Sequence, residues 1–330
     1  MAELRKDPIT GECVIIAPER ATRPFDHQQH GTVALDFCPF CKGNEAATPN
    51  AVLTVPRDDS LSDWAVRVVP NRYPALDSSA TRLSTDDYFE CSPAVGYHEV
   101  IVESSSHDRA MRDLSTGQLV RVLRAWRDRL SVVSADEAIA HTMIFKNEGA
   151  AAGASLEHVH SQLLATSFIP PRIEAELAAE QKHFEGTGNN AWAQLLDREL
   201  ADGSRIVAVT DQFILHCPFA SRFSGQMCLS PKATTASGFE STSDAALTPL
   251  AGLLKNALQS LNTVFSDAPF NLELHTAPPR DTRRQASHWK LAITPRLTGI
   301  AGFEVSSGTW INITTPEDAA ARYRKAIELS

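Results

Sequence analysis

The chain has 330 residues, 43% hydrophobic and 22% charged, with a formal net charge of −9 and a pI near 5.7. That composition is ordinary for a soluble globular protein whose core is large enough to need no disulfide staples. An acidic chain is a poor match to a polyanionic backbone, so no nucleic-acid partner is expected, and any anionic substrate needs local positive charge against the global field.

The opening Met-Ala-Glu-Leu-Arg-Lys-Asp-Pro has no apolar region behind its charges, and no run of about 18 apolar residues occurs. Neither a signal peptide nor a membrane span is expected, so the expected location is cytoplasmic. Cys13, Cys38, Cys41, Cys91, Cys217 and Cys228 then read as reduced thiols.

Asp7-Pro-Ile-Thr-Gly11 predicts a turn, and Cys13-Val-Ile-Ile-Ala17 a strand. A basic loop holding Arg20 and Arg23 follows. Residues 26–62 read as largely irregular, and so long a loop calls for a functional or metal anchor. Strands are expected over 64–69 and 97–102. A helix over 114–133 follows from Leu119, Val122, Leu123, Trp126 and Leu130 at helical spacing, with its arginines on a solvated face. A strand over 142–146, a small-residue turn at Gly149–Gly153 and a strand over 158–166 come next. Residues 171–200 read as helix broken near Gly186-Thr-Gly188.

In the second half, strands are expected over 205–210, 212–217 and 226–230, a helix over 245–265, and strands over 271–276 and 288–294. Phe303-Glu304 precedes a polar turn, and a helix over 316–329 closes the chain. The order of strands, helix, strand pair and helix occurs twice. The expected class is α+β with two related halves, 1–175 and 176–330.

Two motifs carry chemistry. Cys38-Pro-Phe-Cys41 has the spacing of half a tetrahedral zinc site, and His107 and His158 are candidates for the remaining ligands. In His158-Val-His160-Ser-Gln162 the strand period of two projects two imidazoles and an amide from one face. Such a face is a poor hydrophobic surface and a good place for a metal, a phosphate or both.

Together with Arg5-Lys-Asp-Pro-Ile-Thr-Gly11, Ile16-Ala-Pro-Glu-Arg20-Ala-Thr-Arg23-Pro, Cys38-Pro-Phe-Cys41-Lys-Gly-Asn44, Val69-Pro-Asn71-Arg-Tyr-Pro, Asn147-Glu-Gly-Ala and Gly302-Phe303-Glu304, this stretch resembles the galactose-1-phosphate uridylyltransferase family, a branch of the histidine-triad superfamily. The resemblance runs in order over nearly the whole chain. It implies two histidine-triad-like halves, each an antiparallel sheet with packed helices, related by a pseudo-two-fold axis.

It also implies ping-pong nucleotidyl transfer between a nucleotide sugar and a sugar 1-phosphate or phosphate, in a homodimer. By the same resemblance His160 is the nucleophile, and neutral imidazole suits that role near neutral pH. Gln162 donates its amide to phosphate oxygens. Arg20, Asn71, Tyr73, Asn147 and Ser155 match nucleotide and phosphate contacts, and Phe303 and Glu304 match sugar contacts. Cys38, Cys41, His107 and His158 match a structural zinc site.

The pattern departs from the family in the second half. Glu176 and His275 match two ligands of a second metal found in some members, but the expected His-x-His pair reads Ala292 and Thr294, so that metal is expected to be absent. Thr298 replaces a lysine near the sugar segment. The ending also resembles the ADP-glucose phosphorylase relatives, which pair an adenine nucleotide with inorganic phosphate. Three readings follow: a UDP-glucose–hexose-1-phosphate uridylyltransferase of galactose metabolism, an ADP-glucose phosphorylase, or a non-catalytic nucleotide-binding zinc protein. No Gly-x-Gly-x-x-Gly follows a strand, which disfavours a dinucleotide-binding oxidoreductase.

Overall fold

The computed structural model describes residues 2–18, 37–57, 63–76, 93–233 and 237–329. A small sheet begins with β1 (Glu3–Lys6) and β2 (Cys13–Ile16). The first half of the main sheet consists of β3 (Leu53–Pro56), β4 (Trp64–Pro70), β5 (Gly96–Val102), β6 (His141–Glu148) and β7 (His160–Thr166). Its second half consists of β8 (Ile206–Val209), β9 (Phe213–His216), β10 (Met227–Pro231), β11 (Phe270–His275) and β12 (Lys290–Pro295).

These strands form one ten-stranded sheet in the order β3-β4-β5-β7-β6-β11-β12-β10-β9-β8. Read outward from the middle, the halves are β6-β7-β5-β4-β3 and β11-β12-β10-β9-β8. They are the same path traced twice, related by a pseudo-two-fold axis between β6 and β11. The halves join edge to edge through antiparallel pairing that sets Asn147 opposite Asn271. Each half thereby covers the inner edge strand of the other, which would otherwise present unpaired backbone groups.

The helix α1 (Thr116–Ser134) follows β5, and its pseudo-symmetric counterpart α4 (Asp244–Val264) follows β10 after α2 (Pro171–Thr187) and α3 (Ala191–Asp202). Ser115 caps α1 by accepting the Gln118 amide at 3.1 Å. Leu119, Val122, Leu123, Trp126 and Leu130 are buried in the core that α1 and α4 share with the sheet. Each such side chain contributes about 1.5–3 kcal/mol on leaving water. One arginine departs from the expected solvated face. Arg129 is buried and holds Glu99 of β5 with bonds of 2.9 and 2.5 Å, because its helix position faces the sheet.

Further differences concern local boundaries. The stretch expected to be irregular contains β3, which pairs with β4. β7 begins at His160, so His158 lies in a bend before the strand and is not its first residue. Phe303 and Glu304, expected just before a polar turn, sit on a short helix, α5 (Gly302–Ser307). After α5 comes β13 (Trp310–Asn312), which adds in parallel to β2 and completes the small β1-β2-β13 sheet. That pairing joins segments about 300 residues apart, which local periodicity cannot reveal. The last helix is α6 (Pro316–Glu328). No helix among the described residues is long and apolar enough to cross a membrane.

Candidate active site and metal centre

The Cys38-Pro-Phe-Cys41 turn, the loop after β5 and the bend before β7 converge. Ligand atoms of Cys38, Cys41, His107 and His158 all lie within 4.8 Å of one another. Sulfur–nitrogen separations are 3.5 Å for Cys38 and His158, 3.3 Å for Cys41 and His107, and 3.6 Å for Cys41 and His158, each through Nδ1. A tetrahedral ion at ordinary metal–sulfur and metal–nitrogen lengths sets such edges at about 3.5 Å.

The surroundings also suit a cation. His158 Nε2 lies 2.8 Å from the Ser104 carbonyl. Its proton therefore sits on Nε2, and the Nδ1 lone pair is directed at the cluster. Burial holds His158 neutral, its pKa lowered to about 4. Burial and the adjacent Cys38 push the Cys41 thiol up to about 11, so a thiolate pair here requires a positive partner.

His160 follows within two residues. Its Nδ1 lies 2.8 Å from the His158 carbonyl, so Nδ1–H donates there and the Nε2 lone pair is left free. Burial, then the nearby Lys146 charge, lowers its pKa to about 4 and keeps the ring neutral. Phe40, from between the two cysteines, lies against both rings, with centroids 5.9 Å from His158 and 5.3 Å from His160. The Cys38–Cys41 turn thus packs directly against the His160 imidazole.

Gln162 projects from β7 on the same face as His160. Its Oε1 is 2.8 Å from His98 Nε2, while the Ala75 amide donates to His98 Nδ1 at 3.1 Å. With Nδ1 accepting, the His98 proton is on Nε2 and is donated to Gln162 Oε1. The Gln162 amide nitrogen is then left as a donor for a ligand. The Asn71 main-chain amide donates to the His98 carbonyl at 2.8 Å, and Asn71 Oδ1 accepts the Tyr73 amide at 2.9 Å. One hydrogen-bonded group therefore links Asn71, His98 and Gln162.

Asn147, at the end of β6, is held from the other half of the molecule. Asn271 Nδ2 donates to Asn147 Oδ1 at 2.8 Å and to the Ala152 carbonyl at 2.8 Å, and Arg296 Nε donates to Asn271 Oδ1 at 2.5 Å. The Asn147 amide nitrogen faces Gly153, where an added Cβ would lie 3.5 Å away. Gly149 and Gly153 both adopt positive φ, and a Cβ at Gly149 would sit 2.8 Å from Pro269 Cβ. The small-residue turn thus closes tightly over β11 and carries an exposed Ser155.

The remaining expected contacts lie farther out. Tyr73 is 81% exposed and Phe303 47%, and Glu304 receives the Ala301 amide at 3.2 Å. Arg20 falls outside the described residues. In the second half, Glu176 is met by Lys290 from β12, the strand that also carries Ala292 and Thr294. Lys290 bonds Glu176 and sits 4.1 Å over the Trp192 ring.

Sequence reading passed over His98, Asn271 and Lys146. The alternation of His98, Val100 and Val102 along β5 places His98 on the Gln162 face, a signal available once Val100 is set opposite Gln162. Nothing local marks Asn271 or Lys146, whose partners come from other strands.

The first 170 residues match the family model described as galactose-1-phosphate uridyl transferase, N-terminal domain, and residues 96–329 match a domain of unknown function. An ADP-glucose phosphorylase from Arabidopsis thaliana is 33% identical over 98% of this chain and 92% of that protein. A galactose-1-phosphate uridylyltransferase from Thermotoga maritima is 27% identical over 98% of each. The crystal structure of an Arabidopsis thaliana ADP-glucose phosphorylase with bound ADP-glucose superposes with a TM-score of 0.85 at 32% identity, covering 98% of both chains. These similarities extend through both halves, and the chain belongs to the galactose-1-phosphate uridyl transferase family.

Proposed function

We propose that the protein transfers a nucleoside monophosphate from a nucleotide sugar to a second phosphate through a covalent adduct on His160. The observation that carries this reading is the bond between His160 Nδ1 and the His158 carbonyl, which leaves a neutral, correctly tautomeric Nε2 as nucleophile. In the first step Nε2 attacks the α-phosphorus. A phosphorus–nitrogen bond forms, the anhydride phosphorus–oxygen bond breaks, and a sugar 1-phosphate departs with the bond's electron pair. In the second step an oxygen of the acceptor phosphate attacks the same phosphorus and the imidazole leaves.

Gln162 donates its amide to the non-bridging oxygens as charge builds there, with His98 holding the other end of the side chain. Asn147 and Ser155 add donors from the turn. Asn71, Tyr73 and Arg20 serve the nucleotide. The zinc assigned to Cys38, Cys41, His107 and His158 is structural: it fixes the bend that carries the His158 carbonyl. Residues 1–175 supply the zinc and the nucleophile. Residues 176–330 supply Asn271 and the sugar contacts Phe303 and Glu304, and the exposure of Phe303 suits a site completed across a homodimer. A cytoplasmic setting fits the reduced thiols the centre needs.

With a hexose 1-phosphate as acceptor and UDP-glucose as donor, the activity is that of a galactose-1-phosphate uridylyltransferase, the name carried by the Thermotoga maritima relative and others. The second reading, ADP-glucose with inorganic phosphate as acceptor, is favoured by the 33% identity to an ADP-glucose phosphorylase along the whole chain. Intact-mass measurement after incubation with UDP-glucose or ADP-glucose decides between them. A UMP-sized or an AMP-sized gain names the base, and His160→Asn should abolish either gain. No gain with either donor would sink the transferase reading and favour a non-catalytic nucleotide-binding zinc protein.

A further inference from the structure

Behind the nucleophile, on the helix-covered face of the sheet, lies an ion pair that the proposed chemistry does not use. Lys146 on β6 is 1% exposed and Glu103, just past β5, is fully buried. The Lys146 ammonium is 2.8 Å from Glu103 Oε2 and 3.8 Å from Glu148 Oε2. Its remaining close partner is a main-chain atom, the carbonyl oxygen of His160, at 3.0 Å.

The location of this contact is informative. The paired register of β6 and β7 runs from His141 opposite Thr166 to Phe145 opposite Gln162 and stops there. Two residues beyond Gln162, past the end of this pairing, β7 carries His160, and its carbonyl is met by the Lys146 side chain. The neighbouring residues are held from the same place. The Glu103 amide donates to the Val159 carbonyl at 3.2 Å, and the Ser104 carbonyl takes His158 Nε2 at 2.8 Å. Glu103 and Ser104 therefore secure residues 158 and 159 directly and residue 160 through Lys146. From α1, Trp126 Nε1 donates to Ser161 Oγ at 2.9 Å and secures the following residue.

A buried pair of this kind is not a cheap source of stability. Desolvating two charges offsets most of their attraction, and apolar replacements of similar volume are often as stable. Here Glu103 Oε1 also lacks a hydrogen-bond partner among the described residues. What the pair supplies that an apolar pair would not is a strong donor aimed at one carbonyl.

We propose that Lys146 is a positioning residue for the nucleophile: neutralised by Glu103, its ammonium pins the main chain of His160 from behind while the His158 carbonyl fixes the ring. This rests on the reading of His160 as nucleophile. Backbone and ring are then both held, and Nε2 has one direction in which to attack. A displacement of well under an ångström would spoil the in-line approach to phosphorus, with little effect on how tightly the sugar nucleotide binds.

The test compares single-turnover formation of the His160 adduct, with UDP-glucose or ADP-glucose according to which loads the wild type. The variants are Lys146→Met/Glu103→Leu, which removes both charges, and Lys146→Gln, which keeps a neutral donor. The double variant should melt near the wild-type temperature and keep its metal. Its adduct formation at saturating nucleotide sugar should be slower by about 10- to 100-fold, with KM little changed, as for other groups that orient a reactive imidazole. Lys146→Gln should fall between it and the wild type, and it alone carries the test if the double variant does not fold. A wild-type rate in a folded variant, or an effect confined to KM, would overturn the role of Lys146 and leave the function intact. If the wild type itself forms no adduct, the functional reading fails and this inference fails with it.

Discussion

The carbonyl oxygen of His158 lies 2.8 Å from Nδ1 of His160, so a residue of the metal centre also fixes the tautomer of the imidazole beside it. His158 uses its own Nδ1 toward the cysteines, its Nε2 toward Ser104 and its main chain toward His160. A single residue thus ties the Cys38–Cys41 turn, the loop after β5 and the His160 ring together. Disturbing the metal should therefore be felt in the chemistry without any metal–substrate contact.

Removal of the metal should show this. The protein is expected to carry one zinc per chain, and Cys38→Ala/Cys41→Ala should lose it, as read by metal analysis. Adduct formation on His160 should then fall, and the melting temperature with it, because the His158 bend loses its anchor. Retention of the metal in that variant would refute the ligand assignment.

The His98 bond to Gln162 makes a separate prediction. In His98→Leu the Gln162 amide is free to rotate, and its donor no longer faces the phosphate by default. Adduct formation should slow by about 10- to 100-fold with the fold and the metal retained. A wild-type rate would show that Gln162 needs no orientation from β5.

Asn271 reaches the site from the second half. Asn271→Ala removes the donor to Asn147 and to the Ala152 carbonyl and leaves Arg296 without its acceptor. A loss of about 1–3 kcal/mol in stability is expected from urea unfolding. A raised KM for the nucleotide sugar should accompany it as the turn over the phosphate loosens. Unchanged KM would place the turn outside the binding site.

Two buried histidines away from the site set a pH dependence of stability. Burial lowers His141 and His216 from the ordinary 6.5 to about 4. At neutral pH both are uncharged in the folded and unfolded chains alike. As pH falls from 6.5 toward 4, the unfolded chain takes up protons that the folded chain refuses, so stability declines. The decline is about 1.4 kcal/mol for each unit by which a group's two pKa values differ, and it levels off once the folded rings titrate. Urea unfolding between about pH 7.5 and about pH 4.5 reads this slope. His141→Leu should reduce it, since neither nitrogen of His141 has a hydrogen-bond partner among the described residues.

Much of this architecture was legible in the residues. Alternation and helical spacing located α1, α4 and most strands to within a few residues, since apolar side chains must share a face to be buried. The doubled order of elements pointed to two related halves. β3 and β13 escaped because short edge segments carry little periodic signal, and β13 owes its existence to β2 at the other end of the chain. Arg129 escaped because helical position alone does not say that Glu99 waits on the facing strand.

The sequence by itself determined the chemistry available: two cysteines at metal spacing, two histidines and a glutamine at alternate positions, and the absence of a histidine pair near residue 292. Those are properties of residue type and local period. Only the tertiary structure decided which atoms meet. It put the Nδ1 of His158 against the cysteines and the Nδ1 of His160 against a carbonyl, turned Gln162 by means of His98, and brought Lys146 and Asn271 to the back and side of the site. The reason is physical. A strand's period settles which face a side chain occupies, whereas its partners are set by strand order and register, which arise from packing across the whole sheet.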